Sequence, residues 1–427
     1  MNRCFRVCAF LLLPTALVAQ TPGVSYLKSP TLRTLTTSIT TGKTDALETF
    51  WYKVEENGTP LVEEHTHKDS SLVTFLYRGS QDVQTIRLSS GLNALLVDGI
   101  TPDFDALGRM THLPGTDIWY LSFVVSKQLR VSYYFEATGL DSVAPKVLDP
   151  LNDKVYRPDR EALRASLLEL PGAPRSPWHE RHEEKGNWRQ RKIVDKQGGK
   201  NDVFVYVPAG FDPQRSEPYP VLVGLDSYSF GIGMPGALIM DHLLATEAIP
   251  PTVMLAANLP PGSGLSQMEV TAEYVADRLL PQLREELNLT SDPQHVVISG
   301  TSWRGLVAAY TAFARPDVAG NVLSLSGSFY WKPENNIEYE WLTHRFATEP
   351  MSEIRLFLSA GRLETVVTSK NRGHYMLSTN RRLRDVLFAR GYHVTYWEFE
   401  GDHSALSWQD ALARGLEALL GNGAVIR

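Results

Sequence analysis

The sequence predicts an α/β protein with a mostly parallel, doubly wound sheet, preceded by an all-β sandwich domain. Three observations carry that expectation. From about Ser25 to Thr138, short runs rich in Thr, Val, Tyr, Phe and Leu alternate with period two and are separated by turn signals. From Asp202 onward, continuous apolar runs of strand length alternate with helical stretches, as strands buried on both faces do. Between the two, Leu148 to Asn187 is rich in proline, turn formers and charge, which suits a linker.

The chain opens with Arg3 and Arg6, an apolar run from Val7 to Leu13, and small residues up to Ala19 and Gln20. That order reads as a secretory leader over residues 1–20, and the apolar run is too short to span a bilayer. A periplasmic or secreted protein is therefore expected, with no membrane span once the leader is cleaved. Cys4 and Cys8 both fall in the leader. The mature chain would then have no disulfide, cysteine nucleophile or thiolate metal site. At 427 residues two domains are expected, since single cores rarely grow past about 250–300 residues. The assignment is a sandwich at 21–170 and an α/β domain at 171–427. A formal charge of −6 gives no reason to expect nucleic acid as a partner. The sequence specifies no oligomeric state.

In the first domain, strands are expected at 72–78, 83–88, 118–124 and 130–136, with turns at Asn57-Gly58, Arg78-Gly79 and Pro114-Gly115. His65 and His67 alternate, and His179 and His182 lie three apart. Either pair could bind metal, but solvated edges explain both, and no cofactor or metal is expected. In the second domain, strands are expected at 202–207, 220–225, 253–257, 295–299, 322–325, 354–358 and 394–399. Helices are expected over 270–287, 375–390 and 406–420. A sheet of this kind binds ligands beyond the carboxyl ends of its strands.

The candidate chemistry stands at those ends. Val296-Val297-Ile298-Ser299-Gly300-Thr301-Ser302-Trp303-Arg304-Gly305 reads as a strand, a sharp turn and a helix, with Ser302 at the turn. Such an elbow exposes a nucleophile over the sheet edge and lets the next N–H meet an oxyanion. The second glycine of the pattern belongs at position 304, which is Arg304, and Gly305 follows it. Glu364 follows the strand at 354–358, and His403 follows the strand at 394–399. The order serine, acid, histidine is that of α/β-hydrolases. A serine hydroxyl needs an imidazole to take its proton, and the imidazole needs a carboxylate to fix its tautomer. Asp402 rivals Glu364 for the acid, though adjacent side chains generally point apart. His242, His344 and His374 lie away from the required position. The backbone N–H groups of Trp303 and Ser227 are the expected oxyanion donors.

Together these stretches resemble the enterochelin esterase family, the siderophore hydrolases. The likeness runs through Val73-Thr74-Phe75-Leu76-Tyr77-Arg78, Leu113-Pro114-Gly115-Thr116-Asp117-Ile118-Trp119-Tyr120 and Leu148-Asp149-Pro150-Leu151-Asn152. It continues through Gly224-Leu225-Asp226-Ser227, Ser324-Leu325-Ser326-Gly327-Ser328-Phe329-Tyr330-Trp331 and Gly401-Asp402-His403-Ser404-Ala405-Leu406-Ser407-Trp408. The resemblance implies a sandwich packed on an α/β-hydrolase domain and hydrolysis of a triscatecholate trilactone such as ferric enterobactin. By position it makes Ser302 the nucleophile, His403 the general base and Glu364 the acid. It also brings Glu269 and Trp408 to the substrate. The family's Arg-x-x-Glu-Leu is replaced by a segment around Leu259 to Glu269, so Arg304 and Arg362 are expected to meet an anionic substrate instead. Two other readings stand beside this one. One is a carboxylesterase for feruloyl or acetyl carbohydrate esters, with a glycan-binding sandwich. The other is a non-catalytic binding protein whose elbow Arg304 has damaged.

Overall fold

The computed structural model describes residues 27–421, apart from 81, 98–99, 102–106, 139–145, 157, 159–163, 181 and 369–374. The expected leader, with both cysteines, and His374 lie outside the described residues. Among the described residues no helix is long and apolar enough to cross a membrane.

The first domain begins with two helices, where strands were expected from about Ser25. They are α1 (Pro30–Thr40) and α2 (Ala46–Asn57). Ser29 caps α1 by accepting from the Leu32 N–H at 3.2 Å, and Pro30 occupies the first turn, where no N–H is needed. The strands follow as β1 (Leu61–Glu64), β2 (Ser70–Arg78), β3 (Thr85–Ser90), β4 (Ile100–Thr101), β5 (Thr111–His112), β6 (Ile118–Ser126), β7 (Arg130–Thr138), β8 (Lys146–Val147), β9 (Val155–Tyr156) and β10 (Ala165–Glu169). One sheet has the order β1-β2-β6-β5; the other runs β3-β7-β10-β9, with β8 beside β7. Their facing sides supply Val73, Phe75, Leu88, Phe123, Val131 and Phe135 to a closed core. The helices cover the outer face of the first sheet, where Leu32, Phe50, Trp51 and Val54 pack on Leu76 and Ile118.

The second domain is built on eight strands: β11 (Asn187–Val194), β12 (Lys200–Val207), β13 (Val221–Gly224), β14 (Val253–Ala257), β15 (Val296–Thr301), β16 (Asn321–Leu325), β17 (Arg355–Gly361) and β19 (His393–Phe399). Their order is β11-β12-β14-β13-β15-β16-β17-β19. The first pairs are antiparallel, and all pairs from β14 to β19 are parallel. Parallel strands need crossovers, and the helices that provide them cover both faces. On one side lie α3 (Gly236–Ala245) and α9 (Ala405–Leu420), through Ile239, Met240, Leu412 and Leu416. On the other lie α4 (Gly264–Tyr274), α5 (Leu280–Leu287), α6 (Trp303–Ala314), α7 (Trp341–Thr348) and α8 (Met376–Arg390), through Met268, Leu283, Val307, Leu342 and Leu383. This is the expected α/β-hydrolase arrangement. The helix expected over 270–287 is interrupted by a π-turn at Val275–Leu279. Pro281 follows that turn and has no N–H to give a carbonyl four residues back, so the ladder shifts there.

The two domains are joined at the site end of the large sheet. A two-residue strand, β18 (Val367–Thr368), pairs in parallel with β4 of the sandwich. The Tyr156 hydroxyl donates to the Gly233 carbonyl at 2.6 Å. Just past the expected boundary, within the second domain, Ser176 Oγ and Trp178 Nε1 both donate to Asp410 Oδ1 on α9, at 2.7 and 2.9 Å.

Candidate active site

Ser302 sits between the end of β15 and the start of α6 with φ 53° and ψ −123°, outside the conformations that L side chains prefer. The turn is held on both sides of the residue. The Ser302 N–H donates to the Leu325 carbonyl at 2.8 Å, and the Ser302 carbonyl accepts from the Ser328 N–H at 3.1 Å. Two glycines let strand and helix close around it. A Cβ on Gly300 would stand 2.3 Å from the Arg304 carbonyl oxygen, and one on Gly305 would stand 2.7 Å from Ser324 Oγ and 3.0 Å from Gly327 Cα. The close approach of α6 to the sheet therefore falls at position 305. Arg304 leaves the helix on another side, with its Nε 3.6 Å from Asp226 Oδ2.

Glu364 and His403 follow β17 and β19, on the same edge as Ser302. The His403 imidazole is bonded through Nδ1 to Glu364 Oε2 at 2.8 Å. Glu364 is buried, its side chain only 2% exposed, and its Oε1 accepts from Ser326 Oγ at 2.5 Å and from the Gly361 N–H at 2.7 Å. Asp402 makes a different set of bonds, its Oδ1 accepting from Ser404 Oγ at 2.5 Å and Ser407 Oγ at 2.9 Å. The residue that holds the imidazole is Glu364. Burial works to lower the proton affinity of His403, but the hydrogen bond and charge of Glu364, aided by Asp402, outweigh it and raise the pKa above the ordinary 6.5. Burial pushes the Asp402 carboxyl up against the two serine hydroxyls that hold it down.

Ser302, Glu364, Asp402 and His403 line one cavity of about 590 Å³, together with Tyr330 and Met376. No hydrogen bond joins the Ser302 hydroxyl to the imidazole among the described residues; both residues line the same cavity. Six of the fourteen wall residues come from the sandwich: Ser89 and Ser90 at the end of β3, Gly91 and Ala94 beyond it, and Ser132 and Tyr134 on β7. Lys146 of β8 places its Nζ 4.3 Å from the centre of the Tyr134 ring.

Trp303, as the first residue of α6, has an N–H with no helical carbonyl to bond. Its indole instead donates to Gln267 at 2.8 Å. Ser227 lies in the loop after β13, its hydroxyl on Asn258 Oδ1 at 2.5 Å. Neither is among the residues that line the cavity. Nor are the four residues expected to meet substrate, and each has a physical reason. Arg304 is drawn to Asp226. Arg362 is paired with Glu400 at 3.2 Å and with Glu398 at 3.9 Å. Glu269 is on the exposed side of α4, because Met268 and Ala272 take the buried side. Trp408 is 7% exposed and stands behind the imidazole, ring to ring at 4.9 Å and nearly perpendicular. The sandwich residues, Tyr330 and Ser326 were not singled out by sequence. Ser326 and Tyr330 lay within the stretch Ser324 to Trp331 that carries the resemblance, but no role was attached to either, and Ser326 adopts φ 51°.

Residues 195–419 match the family described as "Putative esterase", and residues 72–179 match "Enterochelin esterase, N-terminal". The chain is 25% identical to the iron(III) enterobactin esterase of Dickeya dadantii, over 87% of this chain and 93% of that one. The crystal structure of ferric enterobactin esterase from Salmonella typhimurium superposes with a TM-score of 0.68 at 23% identity, covering 87% of this chain and 98% of that one. The enterobactin esterase from Shigella flexneri, crystallised in the presence of enterobactin, gives 0.67 at 21%, with 87% and 97% covered.

Proposed function

This chain belongs to the esterase family and carries the N-terminal domain of enterochelin esterases, and from that premise we propose that it cleaves the ester bonds of a catecholate siderophore trilactone such as ferric enterobactin, with Ser302 as nucleophile. The observation that supports this most strongly is the His403–Glu364 hydrogen bond on the cavity that Ser302 lines from a positive-φ turn. An ionised carboxylate can only accept, so it selects the imidazole tautomer with the proton on Nδ1 and leaves Nε2 as a base. In the proposed reaction Nε2 takes the Ser302 proton as Oγ attacks the ester carbonyl. The oxyanion is met by the N–H groups of Trp303 and Ser227. Collapse expels the alcohol, which receives the proton from His403, and the acyl group stays on Ser302. Water, deprotonated by the same nitrogen, then releases the acid.

The substrate rests on the names of the relatives and on the cavity wall. Tyr134, Tyr330 and Met376 offer ring and thioether surface to catechol rings. Lys146, exposed and over the ring of the wall residue Tyr134, is the cation proposed to meet an anionic ferric complex. The leader at residues 1–20 would place this chemistry outside the cytoplasm, and the domain division would fall near residue 170.

Ferric enterobactin offered beside feruloylated arabinoxylan tests the substrate. Release of dihydroxybenzoyl-serine with no ferulate is the expected result, and ferulate alone would overturn it. A fluorophosphonate tests the nucleophile, with a covalent adduct expected on the parent protein and none on Ser302→Ala. An adduct that persists in the variant would move the nucleophile elsewhere.

A further inference from the structure

Behind the His403–Glu364 pair runs a second line of hydrogen bonds that ends on the ring it starts from. The Trp408 indole N–H donates to Ser326 Oγ at 2.9 Å, and Ser326 Oγ lies 2.5 Å from Glu364 Oε1. Glu364 Oε2 holds His403 Nδ1, and the His403 ring packs edge-on against Trp408 at 4.9 Å. We infer that Ser326 and Trp408 are positioning residues for the reaction, fixing the Glu364 carboxylate so that it presents one oxygen, in one direction, to the imidazole. The inference rests on the serine-esterase reading of the same site.

The direction of the chain is set by chemistry. An indole N–H can only donate, so Ser326 Oγ accepts from Trp408. Ser326 has a single proton, and the carboxylate oxygen 2.5 Å away can only accept it. No alternative arrangement of protons satisfies all three groups. Ser326 is fully buried, with its N–H on the Ser359 carbonyl at 2.9 Å, so its side chain is aimed by backbone held between two strands. Its φ of 51° is unfavourable for a serine and is kept at this site, as at Ser302. Gly361 completes the clamp by giving its N–H to the same carboxylate oxygen. Oε1 thus has two donors and Oε2 is left for His403. The charged groups around the imidazole are Glu364 from the segment after β17 and Asp402 from its own loop. Tyr330 after β16 and Tyr134 of β7 stand on the cavity wall, and α9 offers the uncharged Trp408.

Removing the Ser326 donor leaves more carboxylate charge directed at His403, which strengthens its hold on a proton. The variant Ser326→Ala is expected to lower kcat for a p-nitrophenyl ester by about tenfold to a hundredfold, as loss of a hydrogen bond to a charged group does. KM should stay within about twofold of the parent, because neither residue lines the cavity. The acid limb of the kcat/KM profile should move to higher pH. Trp408→Phe keeps an aromatic ring beside His403 and removes the indole N–H together with part of the ring, so a drop with the same direction of shift is expected. Should Ser326→Ala fail to fold by its melting curve, Trp408→Phe decides the question alone. A kcat and an acid limb both unmoved in the folded variant would overturn the inference. Ser302→Ala measured alongside separates the two readings: activity surviving there defeats the esterase assignment, whereas its loss beside an unaffected Ser326→Ala defeats only this one.

Discussion

At Ser302, the proposed nucleophile, the distance from one glycine to its neighbours explains a departure from the usual motif. The elbow needs a residue without a side chain where α6 crosses the sheet, and that point is Gly305, whose added Cβ would stand 2.7 Å from Ser324 Oγ. Position 304 lies one step round the helix, where an arginine has room and a partner in Asp226. Gly305→Ala should therefore cut kcat by about tenfold or more, because Ser302 must shift with the helix. Arg304→Gly should change it by less than about threefold; the reverse ranking, measured with one chromogenic ester, would place the close approach at 304. The proposed general base gives a second expectation at this scale. His403 must be neutral to accept a proton, and its pKa is raised, so kcat/KM should fall on acidification through a pH above the ordinary 6.5. A profile flat from pH 8 down to 6 would contradict the Glu364 contact. These residues were legible in sequence because each is local to a strand end. The acid was less so, since Asp402 and Glu364 are both carboxylates near His403, and what separates them is the Glu364 bond to the imidazole and the Ser404 and Ser407 hydroxyls that occupy Asp402.

The elements of the second domain follow from period and length, because a strand buried on both faces has few other readings. The opening helices did not, and the reason is threonine. Residues 31 to 41 hold six threonines, a composition that favours strands. Several of their hydroxyls bond back to the carbonyl four residues earlier, Thr36 to Leu32 at 2.9 Å and Thr37 to Arg33 at 2.9 Å, so the helix accommodates them. What decides in favour of helix is tertiary: Leu32 and Leu35 from α1, and Phe50, Trp51 and Val54 from α2, meet over the outer face of a sheet. Ser29-Pro30 was the local sign of a helix start. Trp51 anchors this layer, buried to 2% exposure, its indole N–H on Asp117 Oδ1 at 2.7 Å. Trp51→Ala should destabilise the first domain by about 3–5 kcal/mol, read as a lower denaturation midpoint. An unchanged midpoint would mean that α1 and α2 are only loosely attached.

Across the whole molecule, the sandwich acts as one wall of the cavity, and no sequence pattern announces it. Ser89, Ser90, Ser132 and Tyr134 have ordinary strand spacing, and they reach Ser302 only because the β3 and β7 ends are pressed against the large sheet. The segment that enters the second domain is tied to α9 by Asp410, whose carboxyl burial would raise its pKa but whose bonds to His179, Ser176 and Trp178 hold it below the usual range. A depressed carboxyl contributes stability above its unfolded pKa and loses it as pH falls through the folded one, so this junction should weaken only in acid below the ordinary carboxylate range. A close contact lies nearer the chemistry. Gly91 of the sandwich lies so close to the histidine loop that an added Cβ would stand 2.1 Å from Asp402 Cβ. Any side chain at 91 must push either the sandwich away or the loop that carries His403. Gly91→Ala should thus lower kcat by about tenfold while the melting midpoint of each domain changes little, because the clash lies between the cores and not within one. Fluorophosphonate labelling of Ser302 should slow in the same proportion. Parent-like kinetics in that variant would show that the two domains can part at this edge without disturbing the imidazole, and would reduce the sandwich from a wall of the site to a neighbour of it.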